Sequence, residues 1–243
     1  MDSTGRPDPR RGGAALERSV LVFDVNETLL DLRSLDPAFE EIFGTRLERG
    51  EWFTQLLRSA MAATLTERYR DFGVLGRAAL AMVAARRGRE VSSQDEDRIL
   101  ATMRRLPPHP EVPLALERLA EAGFRLAALT NSPPSMAREQ IDQAGLARFF
   151  EQVLSVDAVR RFKPHPEVYL HAAQSLGIGI GRMRMVAAHD WDTTGALAAG
   201  ARAAFIARPG MVLDPLAPRP DVIGSDLLEV ADGILEAEPL RDP

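Results

Sequence analysis

Of 243 residues, 45% are apolar and 27% charged, the balance of a folded chain holding one large domain or a core with a smaller insertion. The net charge of −5 offers nothing to nucleic acid or to an anionic membrane surface, and no apolar run approaches the roughly 18 residues that span a bilayer. The absence of cysteine excludes disulfides, thiolate nucleophiles and cysteine zinc sites together, and it suits a reducing cytoplasmic setting.

Residues 1–18, MDSTGRPDPRRGGAALER, carry proline, glycine and four arginines without the apolar core of a signal peptide, and read as a disordered leader. The first strand is SVLVF, residues 19–23. It stops at Asp24 in the run FDVNETLLD, which also brings Asn26 and Thr28. An aspartate after a strand is commonly a turn former. At the carboxyl end of a buried parallel strand it also stands where open α/β sheets bind ligands.

Residues 34–104 change character. Trp52, Leu56, Leu57, Ala60 and Met61 recur at helical spacing, a second helix is expected over 74–86, and a third over 92–103 opens with Ser92 or Ser93 ahead of Asp95 and Glu96. This is a helical insert. Beyond LPPHP, residues 106–110, strands and helices alternate. Helices are predicted over 112–122, 133–144, 164–176, 193–199 and 227–236, and strands over 124–130, Gln152–Ser155, 183–188 and 203–207, with a proline-bearing loop over 214–220. Such alternation predicts an α/β fold: a doubly wound parallel sheet built from 19–33 and 105–243, with the helical cap inserted after its first strand.

Parallel strands end on one side, so the polar residues past them share a crevice. The first strand delivers Asp24 and Thr28, and the second Thr130, Asn131 and Ser132. Lys163 lies past the third, and His189, Asp190 and Asp192 past the fourth. Each alone is an ordinary cap or loop residue. Four strand ends converging on one rim point to a site.

The order FDVNETLLD, LTNS, RFKPHPEVY and AHDWDTTGA resembles the haloacid dehalogenase superfamily, and its spacing is most similar to the type II 2-haloacid dehalogenases. The resemblance covers residues 20–235. It implies a hydrolase acting on carbon–halide bonds of short 2-haloalkanoic acids, with no cofactor and no metal. Asp24 would displace halide to form an aspartyl ester, and water would then attack the ester carbonyl. Lys163 would keep Asp24 ionised, while Thr28 and the backbone at Val25 and Asn26 would orient its oxygens. Asp192, with His189 nearby, would activate or position the water. Thr130 and Asn131 would receive the substrate carboxylate at a helix N-terminus. Tyr169 stands either as the family's active-site tyrosine or as a packing aromatic. The resemblance also implies a homodimer through cap helices.

A magnesium-dependent phosphatase is the rival within the fold. Its second aspartate is replaced by Asn26, and its acidic ligand four residues before Asp192 by Ala188; Asp190 is the remaining substitute. The family's cap arginine, directly after a tryptophan, is replaced by Phe53, its serine by Ala187 and its asparagine by His189. Arg58, Arg68 and Arg77 are the cap cations left to reach inward. A catalytically silent scaffold on this fold is the third reading, against which the joint presence of Asp24, Thr28, Lys163 and Asp192 weighs.

Overall fold

The computed structural model describes residues 18–239, so all of the expected leader except Arg18 lies outside the described residues. Six parallel strands form one sheet in the order β3-β2-β1-β4-β5-β6: β1 Val20–Phe23, β2 Arg125–Thr130, β3 Gln152–Ser155, β4 Met183–Ala187, β5 Arg202–Ile206 and β6 Val222–Gly224. β1 is VLVF, buried throughout, as a central strand covered on both faces must be. The chain winds outward from β1 through β2 to β3, then returns to β4 on the other flank. Order reverses at β1, and the crevice of a doubly wound sheet opens there.

Four helices form the insert that follows β1: α1 Asp36–Phe43, α2 Leu47–Leu65, α3 Phe72–Arg86 and α4 Ser93–Met103. Ser92 caps α4 as its position suggests, accepting the Asp95 N–H at 3.1 Å, and Asp71 caps α3 through the N–H groups of Gly73 and Val74. The buried Trp52 indole donates to the Gly76 carbonyl at 2.9 Å, fastening α2 to α3. These helices also reach the core. Thr64 of α2 accepts the Phe162 N–H at 2.9 Å, and the rings of Tyr69 and Phe72 pack on Phe162, so the insert clamps the loop that carries Lys163.

The remaining helices cover the sheet: α5 Val112–Glu121, α6 Pro134–Gln143, α7 Pro166–Ser175, α8 Asp190–Ala198 and α9 Leu227–Ala237. Three expectations need correction. The strand Val222–Gly224 follows the proline loop directly; its three residues are too few for alternation to reveal. Helix α7 starts at Pro166 instead of residue 164, because His165 takes the capping position and accepts the Glu167 N–H. Helix α8 starts at Asp190, three residues early, so Asp190, Trp191 and Asp192 form its first turn and not a loop before it.

Close approach holds α8 against the Lys163 loop. A Cβ at Gly195 would lie 2.5 Å from the Pro164 Cβ and 2.7 Å from the Tyr169 hydroxyl. Gly195→Ala should therefore destabilise the protein by about 1–3 kcal/mol in chemical unfolding, as overpacked sites do. It should also reduce turnover, since both neighbours border the charged site.

Candidate active site

β1 ends at Phe23, and the main chain continues the ladder for one more residue: Asp24 N–H donates to Val186 O at 3.0 Å. The chain then folds back tightly, with Leu29 and Leu30 N–H both on the Val25 carbonyl. Glu27 takes the left-handed conformation (φ 62°) that closes this turn. The fold-back returns Thr28 to Asp24. Its hydroxyl accepts the Ala188 N–H at 2.9 Å, which directs its own proton onto Asp24 Oδ2 at 2.7 Å.

Lys163, 1% exposed, reaches in from beyond β3. Its Nζ donates to Asp24 Oδ1 and to Asp192 Oδ2, each at 2.7 Å, and to the Leu129 carbonyl at 3.1 Å. Three donors meet three acceptors, so the ammonium is fully used. Its backbone N–H is held by Asn131 Oδ1 at 3.1 Å. Asp192 Oδ1 accepts the Tyr169 hydroxyl at 2.7 Å. His189, at the capping position of α8 but with no capping bond of its own, turns its ring between two carboxylates. Nδ1 lies 3.2 Å from Asp24 Oδ2 and Nε2 2.9 Å from Glu27 Oε2.

These contacts set the ionisation states. Burial would raise the Asp24 pKa, but the Lys163 charge and the His189 hydrogen bond outweigh it and hold the carboxyl far below its ordinary range. Burial likewise opposes the charge on His189. Hydrogen bonds to Asp24 and Glu27 nevertheless lift it to about 9, so it is an imidazolium at neutral pH. Lys163 is raised against its burial by Asp192 and Asp24. Asp192 is the exception: burial and the Asp24 charge raise it despite Lys163, making it the more basic carboxylate of the two. Burial and the Asp192 charge keep Tyr169 protonated.

A small cavity, with only about 10 Å³ of free space, lies over these groups. Asp24, Asn26, Thr130, Asn131, His189 and Trp191 line it from the core, and Phe53, Leu57 and Phe72 from the insert. Phe53 packs at 6.1 Å from the His189 ring, and Trp191 stacks on that ring at 4.9 Å. None of the lining residues from the insert is charged. Arg58 bonds Gln55, and Arg77 bonds Glu96 and Asp97, so neither turns inward; Arg68 is exposed.

The expected residues thus converge, with three changes of part. No backbone N–H donates to the Asp24 carboxylate among the described residues; side chains hold it instead of the main chain at Val25 and Asn26. The amide of Asn26 is spent on Ser132 Oγ (3.3 Å) and Gln140 (3.1 Å). Thr130 and Asn131 do not sit at an open helix N-terminus. Thr130 Oγ1 accepts the Ser132 N–H, and α6 begins with Pro133 and Pro134, which have no N–H to give. Glu27 and Trp191 were not expected. Glu27 lies within FDVNETLLD, but only the left-handed turn brings an apparently solvated acid onto His189.

A doubly wound sheet with its charged groups at the switch point, and helices inserted after β1, defines an α/β protein with a ligand crevice at the carboxyl ends of its strands. The haloacid dehalogenase-like hydrolases match residues 19–200. Among curated relatives, the (S)-2-haloacid dehalogenase of Xanthobacter autotrophicus is 33% identical, covering 77% of this chain and 74% of its own length. The haloacetate dehalogenase H-2 of Moraxella sp. (strain B) is 30% identical, covering 83% and 91%. The L-2-haloacid dehalogenase structure from X. autotrophicus with chloropropionic acid covalently bound aligns with a TM-score of 0.85 at 26% identity, over 92% of this chain and all of that one. The chain belongs to the haloacid dehalogenase-like hydrolase family.

Lys163→Gln tests the electrostatics directly. It removes the cation that lies between two buried carboxylates and leaves only His189 beside Asp24, so stability should fall by about 3–5 kcal/mol. The surviving Asp24 should titrate at higher pH, since the cation that stabilised its charge is gone. In any residual activity the acid limb would move up toward neutrality, which a pH–rate profile of the variant reads.

Proposed function

We propose that this protein is a hydrolytic dehalogenase of short 2-haloalkanoic acids, working through an ester on Asp24 and using no metal. The observation that carries the proposal is the state of Asp24: a buried carboxylate, kept ionised by Lys163, Thr28 and His189, and bordering a cavity with apolar walls. A carboxylate is a weak nucleophile in water. Stripped of solvent, charged and aimed, it becomes an effective one.

Oδ1 has a single donor, Lys163, and is the oxygen we assign to attack. It bonds to the carbon bearing the halogen as the carbon–halogen bond breaks with inversion and halide departs. Oδ2 remains as the ester carbonyl. Water then adds to the Asp24 carboxyl carbon. The oxyanion forming on Oδ2 meets two donors already in place, the Thr28 hydroxyl and the His189 imidazolium. Collapse expels the 2-hydroxy acid and leaves one water oxygen in Asp24. Asp192, the more basic carboxylate, is our assignment for the group that takes the water proton. The amide nitrogen of Asn131, whose oxygen is fixed on Lys163, supports its part in holding the substrate carboxylate. Phe53 forms the apolar wall beside the reacting carbon.

The phosphatase reading finds no cluster of metal-ligating side chains among the described residues. Asn26 Oδ1 is already engaged by Gln140, Ala188 offers a methyl group, and Asp190 does not line the cavity. No described helix is long and apolar enough to cross a membrane. We extend the proposal to residues 34–104 acting as a cap, to a cytoplasmic location and to a homodimer, which sedimentation at micromolar concentration would test.

With both 2-chloropropionate enantiomers and with chloroacetate, halide should be released in the presence of chelator. In a single turnover in ¹⁸O water, label should enter Asp24 and not the product hydroxyl. Label appearing directly in product, or full turnover by Asp24→Asn, would refute the ester. Turnover should also decline as pH rises through about 9, where His189 loses the charge that serves the oxyanion.

A further inference from the structure

Phe53 leaves the insert with no cation over the substrate, yet a cation stands one helical turn away. Arg49 and Phe53 are four residues apart on α2 and therefore share a face. The Phe53 ring lies against His189. Arg49 Nη1 lies 3.6 Å from Glu27 Oε1, while its Nε bonds Asp36. The other oxygen of Glu27 holds His189 Nε2 at 2.9 Å. Helix α2 thus touches the core pair twice, once through each partner.

The result is a single file of alternating charges: Arg49, Glu27, His189, Asp24, Lys163 and Asp192. Exposure falls along it. The Arg49 and Glu27 side chains are 18% and 17% exposed, and Lys163 and Asp192 fully buried. The outer end opens into a cavity of about 290 Å³ bounded by Asp31, His109, Glu111 and Arg208 as well.

We propose that Glu27 and Arg49 are positioning residues for the reaction: Arg49 steadies the Glu27 carboxylate against His189, and Glu27 holds the imidazole charged and aimed at Asp24. The insert's cation then works through the core without touching substrate. This rests on Asp24 being the nucleophile. The charged groups facing His189 are few. Asp24 and Glu27 come from the β1 turn, Lys163 acts through Asp24, and Asp190 and Asp192 lie on its own helix. Arg49 acts from α2 through Glu27, and the His109 ring meets the Glu27 main-chain carbonyl.

The first test is a titration of the resting protein. The chain has four histidines, so ¹⁵N imidazole signals can be assigned with a His189→Asn control. Glu27→Gln keeps the shape and removes the charge; the His189 midpoint should fall by about one pH unit or more, and the alkaline limb of kcat should fall with it. kcat for 2-chloropropionate should drop about twofold at pH 8 and about fivefold at pH 9, with KM within about twofold, since Glu27 does not touch substrate. Glu27→Asp should keep the limb near its original place. Arg49→Gln should lower kcat alone, and Arg49→Lys restore part of it. The double variant Glu27→Gln, Arg49→Gln should be no worse than Glu27→Gln by itself.

An unmoved His189 midpoint in Glu27→Gln, or additive losses in the double variant, would overturn the proposal. Because the titration needs no substrate, it can hold or fail independently of Asp24. Failure of the ester mechanism would show only in the oxygen label and in Asp24→Asn.

Discussion

One ammonium group holds the site together. Lys163 Nζ sits between two buried carboxylates at 2.7 Å from each, with the Leu129 carbonyl as third acceptor. Two such carboxylates could not both stay charged in the interior without it. The cation divides the pair. Asp24, with added donors in Thr28 and His189, is pressed toward permanent ionisation, while Asp192, left with Tyr169, is pushed upward. Two residues of one chemical type thus come to differ in basicity through their surroundings. Much of the surrounding packing serves this placement: the Phe162 clamp from α2 and α3, the Asn131 bond to the Lys163 N–H, and the Gly195 contact that seats α8 beside Pro164.

The parts of the fold with strong periodicity were legible from residues alone. Strand and helix alternation located the sheet, and polar residues at successive strand ends located its working edge. Boundaries shifted where local chemistry competed with pattern. His165 outbid Pro164 as the start of α7, and Asp190 to Asp192 joined a helix because two aspartates at an N-terminus suit its dipole as well as they suit a loop. The site was legible as a list and not as a wiring diagram. Asp24, Thr28, Lys163 and Asp192 could be named from successive strand ends, and Tyr169 from the family resemblance. Which nitrogen faces which oxygen follows from a left-handed residue at position 27 and from a ring turned between two acids, and neither leaves a periodic trace.

The departures from the wider family now have a common physical account. Where a cap arginine would deliver charge from above, this cavity has a phenyl ring. Where an asparagine would stand beside the motif aspartate, it has an imidazolium packed against Phe53 and Trp191. Positive charge has moved from the insert to the sheet edge. A ring cation beside aromatic rings keeps its charge with little hydration, because π surfaces and the carboxylates of Asp24 and Glu27 replace the water it gives up.

The hydrogen bond from the Ala188 main chain to Thr28 carries a last consequence. The nucleophile is oriented by a peptide N–H at position 188, whatever side chain hangs there. The position that would decide between metal-bound and metal-free chemistry is therefore mechanically uncoupled from the frame that aims Asp24. Ligands for an ion could be gained or lost at that edge in evolution without re-engineering the strand, the turn or the threonine. Divergence between dehalogenase and phosphatase on one scaffold then needs only local exchanges, made on a chassis that does not register them.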